Sequence, residues 1–323
     1  MATDATAAVP AGAAAAMLDL DGATTGVDGA PGDDGRGRGA DPAKAGLANT
    51  WDRPRGWRLY GRYALLLFLT FIVLFPIYTT VVAALKPGNE VLNEPLRPGP
   101  FTFEVLGDAW SSGRLGRYLV NSFVVAIIVT IAQVVTSVLS AYAFAMLDFP
   151  GRNVLFAVFV ATLLVPLEVT LVVNRRTVDA LGWLNSYQGL AAPFLATAFG
   201  TFLMRQVFLT MPRDLRDAAA IDGVGHLGFL RHVAVPLVKP TLGALALFGF
   251  LSTWNQYLWP NLITTESSMH TVQSGLRLLS TTNLDQPNLV MAGTVIAAIP
   301  IFIVLLVFQR QLVRGLTAGA VKG

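Results

Sequence analysis

Apolar and polar positions divide this chain into long blocks. From Trp57 onward, apolar runs near the ~20 residues that cross a ~30 Å hydrocarbon core alternate with short polar segments. Six of them are expected to be transmembrane helices: Leu59–Ala84, Tyr118–Leu147, Val154–Val173, Leu190–Leu209, Thr241–Ile263 and Leu289–Phe308. The second is long enough to tilt or to extend past the bilayer. The fourth is the weakest, because Pro193 and Gly200 interrupt it. Between the fourth and fifth runs, Arg213–Pro236 reads as a short amphipathic hairpin set into a very apolar protein. Pro212 suits the first turn of its first helix, where a missing N–H is harmless. Leu215, Ala218, Ala219 and Asp222 fall on one face at helical spacing, with the alanines leaving that face shallow. Gly223 supplies a left-handed residue to stop the helix. Leu227, Leu230, Val233 and Ala234 share a face of a second helix that Pro236 is expected to end.

Composition agrees with the pattern. Hydrophobic residues make up 54% and charged residues only 13%, with mean hydropathy +0.57, against about 25% charged in soluble domains. The expected fold class is an all-α polytopic membrane protein with about six spans, in a plasma or inner membrane. A net charge of +3 comes with no basic run interleaved with aromatics, so nucleic acid is not an expected partner. There are no cysteines, which excludes disulfides and thiol chemistry. Residues 1–56 form a separate regime, rich in Ala, Gly and Asp, and the first 50 contain no aromatic residue. Such a segment buries too little apolar surface to offset its chain entropy and is expected to be a disordered cytoplasmic extension. Ala11–Leu20 lacks the basic flank of a signal peptide.

The positive charges give the orientation. With the N-terminus inside, sixteen of the 23 Lys and Arg residues fall on inner segments and seven on outer ones. This excess favours an N-in/C-in topology. Arg175 and Arg176 violate it locally.

Candidate chemistry is sparse. Glu168 is the one acid deep in a span, and an acid at the bilayer centre costs at least ~2.5 kcal/mol unless paired or wetted. It is either a functional group or a fixture of the kink at Pro166. The fifth span ends in Trp254-Asn255-Gln256-Tyr257-Leu258-Trp259-Pro260. These aromatics and amides suit a sugar ring, an interfacial aromatic belt or an intersubunit contact. No GxxxxGK[ST] loop, HExxH or GxSxG motif occurs, so the chain is expected neither to hydrolyse nucleotide nor to be an enzyme. His226, His232 and His270 read as ordinary exposed histidines, and no metal site is expected.

Four stretches in order around the spans carry a resemblance. Asp217-Ala218-Ala219-x3-Gly223-x9-Val233-x-Val235-Pro236 resembles the EAA motif of permease subunits in binding-protein-dependent ABC importers. Three more resemble the second permease of carbohydrate importers, similar to the maltose system's smaller permease. They are Ala141-Tyr142-Ala143-Phe144 through Phe149-Pro150-Gly151-Arg152, the Thr253–Pro260 run, and the end Gly315–Gly323. Asp217 stands where Glu is usual, and Val233 and Val235 where Ile and Leu are usual.

The resemblance implies a type I ABC importer transmembrane domain over residues 57–309, with a coupling hairpin at 213–236 and a cytoplasmic tail at 310–323. It implies a second, homologous permease, an ATP-binding subunit dimer and an extracytoplasmic solute-binding protein as partners. No cofactor would be held by this chain, since ATP and Mg would sit on the ATPase. Asp217, Ala218, Ala219, Asp222, Gly223, Val233, Val235 and Pro236 would form the ATPase-coupling loop. Gly315, Leu316, Thr317, Ala318 and Gly319 would lie in the tail at the ATPase interface. Glu168, Trp254, Asn255, Tyr257 and Trp259 would be the possible translocation-path contacts. The outer loop Thr264–Asn288 would reach the binding protein. The implied cargo is a sugar or oligosaccharide. The alternatives are a polar solute such as glycerol phosphate on the same scaffold, or an ion-coupled secondary transporter, although no inverted repeat is visible.

Overall fold

The computed structural model describes residues 57–88, 91 and 97–317, so the N-terminal extension expected over 1–56 lies outside it. Residues 57–63 are the described part of one compact unit, and the packing below concerns the other, which starts at Ala64. Among the described residues all regular structure is helical.

Among the described residues, three helices are long and apolar enough to cross a membrane unaided: α1 (Trp57–Ala84), α3 (Leu115–Met146) and α13 (Pro287–Thr317). Between α1 and α3 lies the short α2 (Glu104–Ser112). The remaining expected spans are broken. The third divides at Val165-Pro166 into α4 (Arg152–Leu164) and α5 (Leu167–Ala180), bent by 99°. The fourth divides into α6 (Tyr187–Phe194) and α7 (Ala198–Leu209), bent by 46°. The fifth runs as α10 (Lys239–Trp254), halts at Asn255–Tyr257, and resumes as α11 (Leu258–Ile263).

The breaks have physical causes. Pro166 cannot donate an N–H, and its extended backbone starts α5 in a new direction. That redirection also carries Arg175 and Arg176 onto a separate, partly polar helix, so they interrupt no continuous span. At the fourth break, freed carbonyls find side chains on α3. Gln133 Nε2 donates to the Phe194 carbonyl at 2.9 Å, and Thr136 Oγ1 to that of Leu195 at 3.0 Å. Irregular backbone at membrane depth persists where neighbouring helices satisfy it in this way.

Helix α3 is the hub, packing against α7, α10 and α12 (Val272–Thr282). Small residues permit the close approaches. A Cβ on Gly200 of α7 would collide with Ser137, and one on Gly249 of α10 would crowd the Gln133 amide. Without a hydrophobic drive between helices in lipid, such close packing and interhelical hydrogen bonds supply the attraction. By contrast α1 is exposed along nearly its whole length and tucks in only at Val82, Ala83 and Ala84. Apolar exposure of this kind carries no penalty against lipid tails.

The outer stretch 264–288 contains a helix rather than a single loop. Gly275 of α12 lies flat on Tyr118, where any Cβ would overlap the ring. At the other end, α13 continues without a break through Gly315, Leu316 and Thr317, so the expected tail begins as helix. Ala318 and Gly319 lie outside the described residues.

Candidate functional site

The hairpin between α7 and α10 is built as the spacing of its glycine and prolines requires. Pro212, with extended backbone, precedes α8 (Arg213–Ile221). The helix ends in a Schellman arrangement, with Gly223 at φ +72°. The Gly223 N–H donates to Ala220 O at 3.1 Å and the Val224 N–H to Ala219 O at 2.8 Å. The return helix α9 (His226–Leu237) begins after Gly225 and widens into a π-type turn over Leu230–Ala234. It does not stop at Pro236, as expected, but runs on to Leu237 before turning by 82° into α10. The wide turn explains this, because it gives the proline ring room beside the preceding carbonyls.

The π turn also shifts which side chains face inward. Leu227, expected on the same face as Leu230 and Ala234, is 75% exposed, while Phe229 takes its place in the core at 3%. Phe229, Leu230, Ala234 and Ala219 pack with Tyr142 of α3 and Met204 and Phe208 of α7. Ala219 therefore faces the spans and not outward beside Ala218. The outward face consists of Ala218, Ile221 (87% exposed) and Leu227, flanked by Asp217 and Asp222. Ile221 was given no role from the sequence, although an isoleucine ending a helix of Arg, Asp and Ala was the available signal, and Leu227 was expected to face inward. The Asp217 carboxylate is two-thirds exposed, with only a loose 3.8 Å approach to Arg216. Val233 and Val235 are half-buried and Pro236 is exposed.

Three arginines gather at the C-terminal end of α3, where helix carbonyls lack partners. Arg205 Nε donates to Phe144 O at 3.2 Å, Arg152 Nη1 to Leu147 O at 2.9 Å, and Arg216 Nη1 approaches Met146 O at 3.5 Å. Their charge also complements the negative end of the helix dipole. Arg152 pairs with Asp148 at 2.9 Å, and Arg205 stacks 4.0 Å above Phe156. A cleft of about 320 Å³ opens here between α3, α4, α7 and the start of α8.

At the opposite end of α3, the segment after α11 is held by directed hydrogen bonds. Asn121 Nδ2 donates to the carbonyls of Ser268 and His270, each at 2.9 Å, and Tyr187 OH donates to Asn121 Oδ1 at 2.7 Å. Asn185, in the left-handed region at φ 52°, accepts from Thr265 N at 2.7 Å and Glu266 N at 3.0 Å. Arg117 Nε donates to Ser268 O, and Arg114 Nη1 to Ser267 Oγ, both at 3.3 Å. These two arginines and Trp110 line an open cleft of about 560 Å³. His270 is not an ordinary exposed histidine, since burial lowers its pKa, partly opposed by a hydrogen bond with the Thr264 backbone.

The candidate path residues are dispersed. Trp254 stacks on Phe250 with its edge toward Phe123, fully inside the core. Trp259 is equally buried, its Nε1 donating to Gly189 O at 3.1 Å. Glu168, Asn255 and Tyr257 are exposed, and Glu168 occupies the first turn of α5 directly after the 99° bend. No group of acids and histidines that could hold a metal occurs among the described residues.

A bundle of whole and broken spans around one hub helix, with a rigid polar-sided hairpin projecting from one end, defines a multi-pass transport permease. Residues 118–318 match the family model described as "Binding-protein-dependent transport system inner membrane component", and the chain belongs to that family. A relative from Yersinia pestis bv. Antiqua, the sn-glycerol-3-phosphate transport system permease protein UgpE, is 39% identical over 264 residues, covering 79% of this chain and 94% of its own. The Rhizobium meliloti UgpE is 38% identical, with 79% and 94% covered. In fold, the chain resembles a chain from the crystal structure of a bacterial ABC transporter involved in the import of the acidic polysaccharide alginate. The TM-score is 0.69 at 23% identity, over 80% of this chain and 98% of that one.

Proposed function

We propose that this permease is driven by an ATPase docked on the hairpin Arg213–Pro236, and that it supplies half of a translocation path for a hydroxylated solute. The carrying observation is the exposure of Ala218, Ile221 and Leu227, apolar side chains left uncovered on the two arms of a capped hairpin. Exposed apolar clusters rimmed by charge mark protein docking sites. Asp217 stands free at the edge to meet a basic residue of the ATPase, and Asp222 and Gly223 set the turn that keeps the hairpin stiff. Val233, Val235 and Pro236 belong to its return arm. The helical end Gly315–Thr317 is the described part of the tail assigned to the same ATPase interface, and Ala318 and Gly319 of that assignment lie outside the described residues. ATP and Mg2+ are bound by that partner, and this chain holds no cofactor.

When the ATPase dimer closes, the docked hairpins of this chain and of the second permease approach each other, and the spans switch from inward- to outward-facing. The stroke needs a packed lever and two discrete states. At the outer face, the hydrogen-bonded segment 264–271 and the Arg114–Arg117–Trp110 cleft offer a preformed seat for the binding protein. The exposure of Glu168, Asn255 and Tyr257 supports a contact of these residues with solute, whereas Trp254 and Trp259 are buried in this conformation.

The cargo we assign is a sugar or oligosaccharide. A polyol phosphate is the second reading, favoured by the 39% identical relative, which is an sn-glycerol-3-phosphate transport system permease protein. The test is ATP-driven uptake by the assembled importer in vesicles, with candidate solutes ranked first by thermal shift of the binding protein. Undiminished uptake after deletion of Arg213–Pro236 would overturn the docking role. Stabilisation of the binding protein by glycerol phosphate alone would overturn the sugar assignment.

A further inference from the structure

The stretch Ala141-Tyr142-Ala143-Phe144 lies near the C-terminal end of α3. In the structure it forms the seat of the hairpin. Ala141 is fully buried at the α3 surface, and Tyr142 is 5% exposed between α7 and α9. The Tyr142 ring meets Phe208, His226 and Phe229 at centroid distances of 6.1–6.4 Å. Its hydroxyl is hydrogen-bonded to His226 Nδ1 at 3.1 Å. His226 is the first residue of the return helix, just past the tip of the hairpin.

This contact has a distinctive place in the mechanics. The hairpin is joined covalently to α7 through 210–212 and to α10 through Val238, and both junctions are bends or turns that absorb rotation. The approach of Arg216 to Met146 O is long for a hydrogen bond. The Tyr142–His226 bond instead joins the tip region directly to the hub helix, running from the buried Tyr142 side chain to the exposed His226.

Resting on the reading of the hairpin as the ATPase dock, we propose that Tyr142 and His226 are a pair of positioning residues. They form the joint that passes the hairpin's displacement into α3, and so set how much transport each ATP hydrolysed produces. Neither residue touches ATP or solute. If the joint is lost, the ATPase still docks and cycles, but part of its stroke is taken up at the hairpin bends.

The test uses the complete importer, purified with its ATPase and second permease, reconstituted in proteoliposomes and supplied with its binding protein. Solute taken up per ATP hydrolysed is measured for Tyr142→Phe, His226→Ala and the double variant. One hydrogen bond shifts a two-state equilibrium by about 5-fold, and a fall of about that size in transport per ATP is expected for each single variant. The double variant should be no worse than either single, because the two side chains act through one contact. His226→Gln, which keeps an acceptor, should recover most of the ratio. A wild-type ratio in Tyr142→Phe overturns the proposal, as does a double variant equal to the product of the singles. Leu227→Asp, on the outward face, separates the two claims. If it leaves ATPase docking intact, the docking reading itself fails. If it abolishes docking while Tyr142→Phe remains fully coupled, only the joint fails.

Discussion

Phe229→Ala is the most informative single perturbation of the hairpin. Phe229 is 3% exposed and plugs the hairpin into the cluster formed by Tyr142, Phe208 and Ala219. Truncating a buried phenylalanine costs about 3–5 kcal/mol in transfer and cavity terms. Here the loss falls on one local equilibrium, hairpin seated against hairpin lifted, because the spans keep their own packing through α3, α7 and α10. At 1.36 kcal/mol per decade, the lifted population rises roughly 150- to 5,000-fold. Hydrogen exchange of the purified chain reads this directly. Amides over 213–237 should lose protection by about two to almost four decades while those of α3 and α13 do not change. Leu227→Ala, two residues away and 75% exposed, should leave hairpin exchange as in the wild type. Equal exchange in Phe229→Ala and wild type would refute the packed lever. Uniform loss of protection across the chain would refute the independence of the hairpin.

The same geometry makes three further predictions. Gly275→Val forces a side chain into the Tyr118 ring, and overpacking of this kind costs about 1–3 kcal/mol, so thermal unfolding should move several degrees lower. Reversing Arg114 and Arg117 to Glu should raise the concentration of binding protein needed for half-maximal ATPase stimulation, more at low salt than at high, with basal ATPase unchanged. His270 has a folded-state pKa below its ordinary 6.5, so the unfolded chain binds the proton more tightly. The stability of the outer segment is therefore full above pH 6.5 and falls as pH drops through the folded-state value. Protection factors of amides 264–272, corrected for the intrinsic pH dependence of exchange, should fall on acidification, and His270→Gln should flatten that dependence.

Much of this architecture was legible because lipid imposes a simple rule on sequence. Apolar runs marked the three continuous spans closely, save at the C-terminal end of α13, which stays helical as far as Thr317. The Gly223 stop was readable because a left-handed C-cap favours one residue type, and Gly223 does sit at φ +72°. The broken spans were harder. Periodicity cannot reveal that Gln133 and Thr136 receive carbonyls from a helix about 60 residues away, so the interruption at Phe194–Thr197 looked merely weak. The π turn at Leu230–Ala234 defeated the assignment of faces, since one extra residue in a turn rotates the helix before it by about 100° relative to the helix after it. Leu227 and Phe229 exchanged roles for that reason. Trp254 and Trp259 were harder to place for another, because aromatics with amides suit a sugar, an interfacial aromatic belt or an intersubunit contact alike, and the sequence does not show that both side chains are buried.

The central claim is that the outward face of the hairpin carries the ATPase. The most direct measurement is quantitative co-purification from the native host in mild detergent, comparing the wild-type chain with Ile221→Asp/Leu227→Asp. Both side chains are exposed, so the permease fold should be unaffected. The account predicts that the variant retains the second permease but loses the ATP-binding subunit, and with it ATP-driven uptake. Full retention of that subunit, with uptake at the wild-type rate, would contradict it.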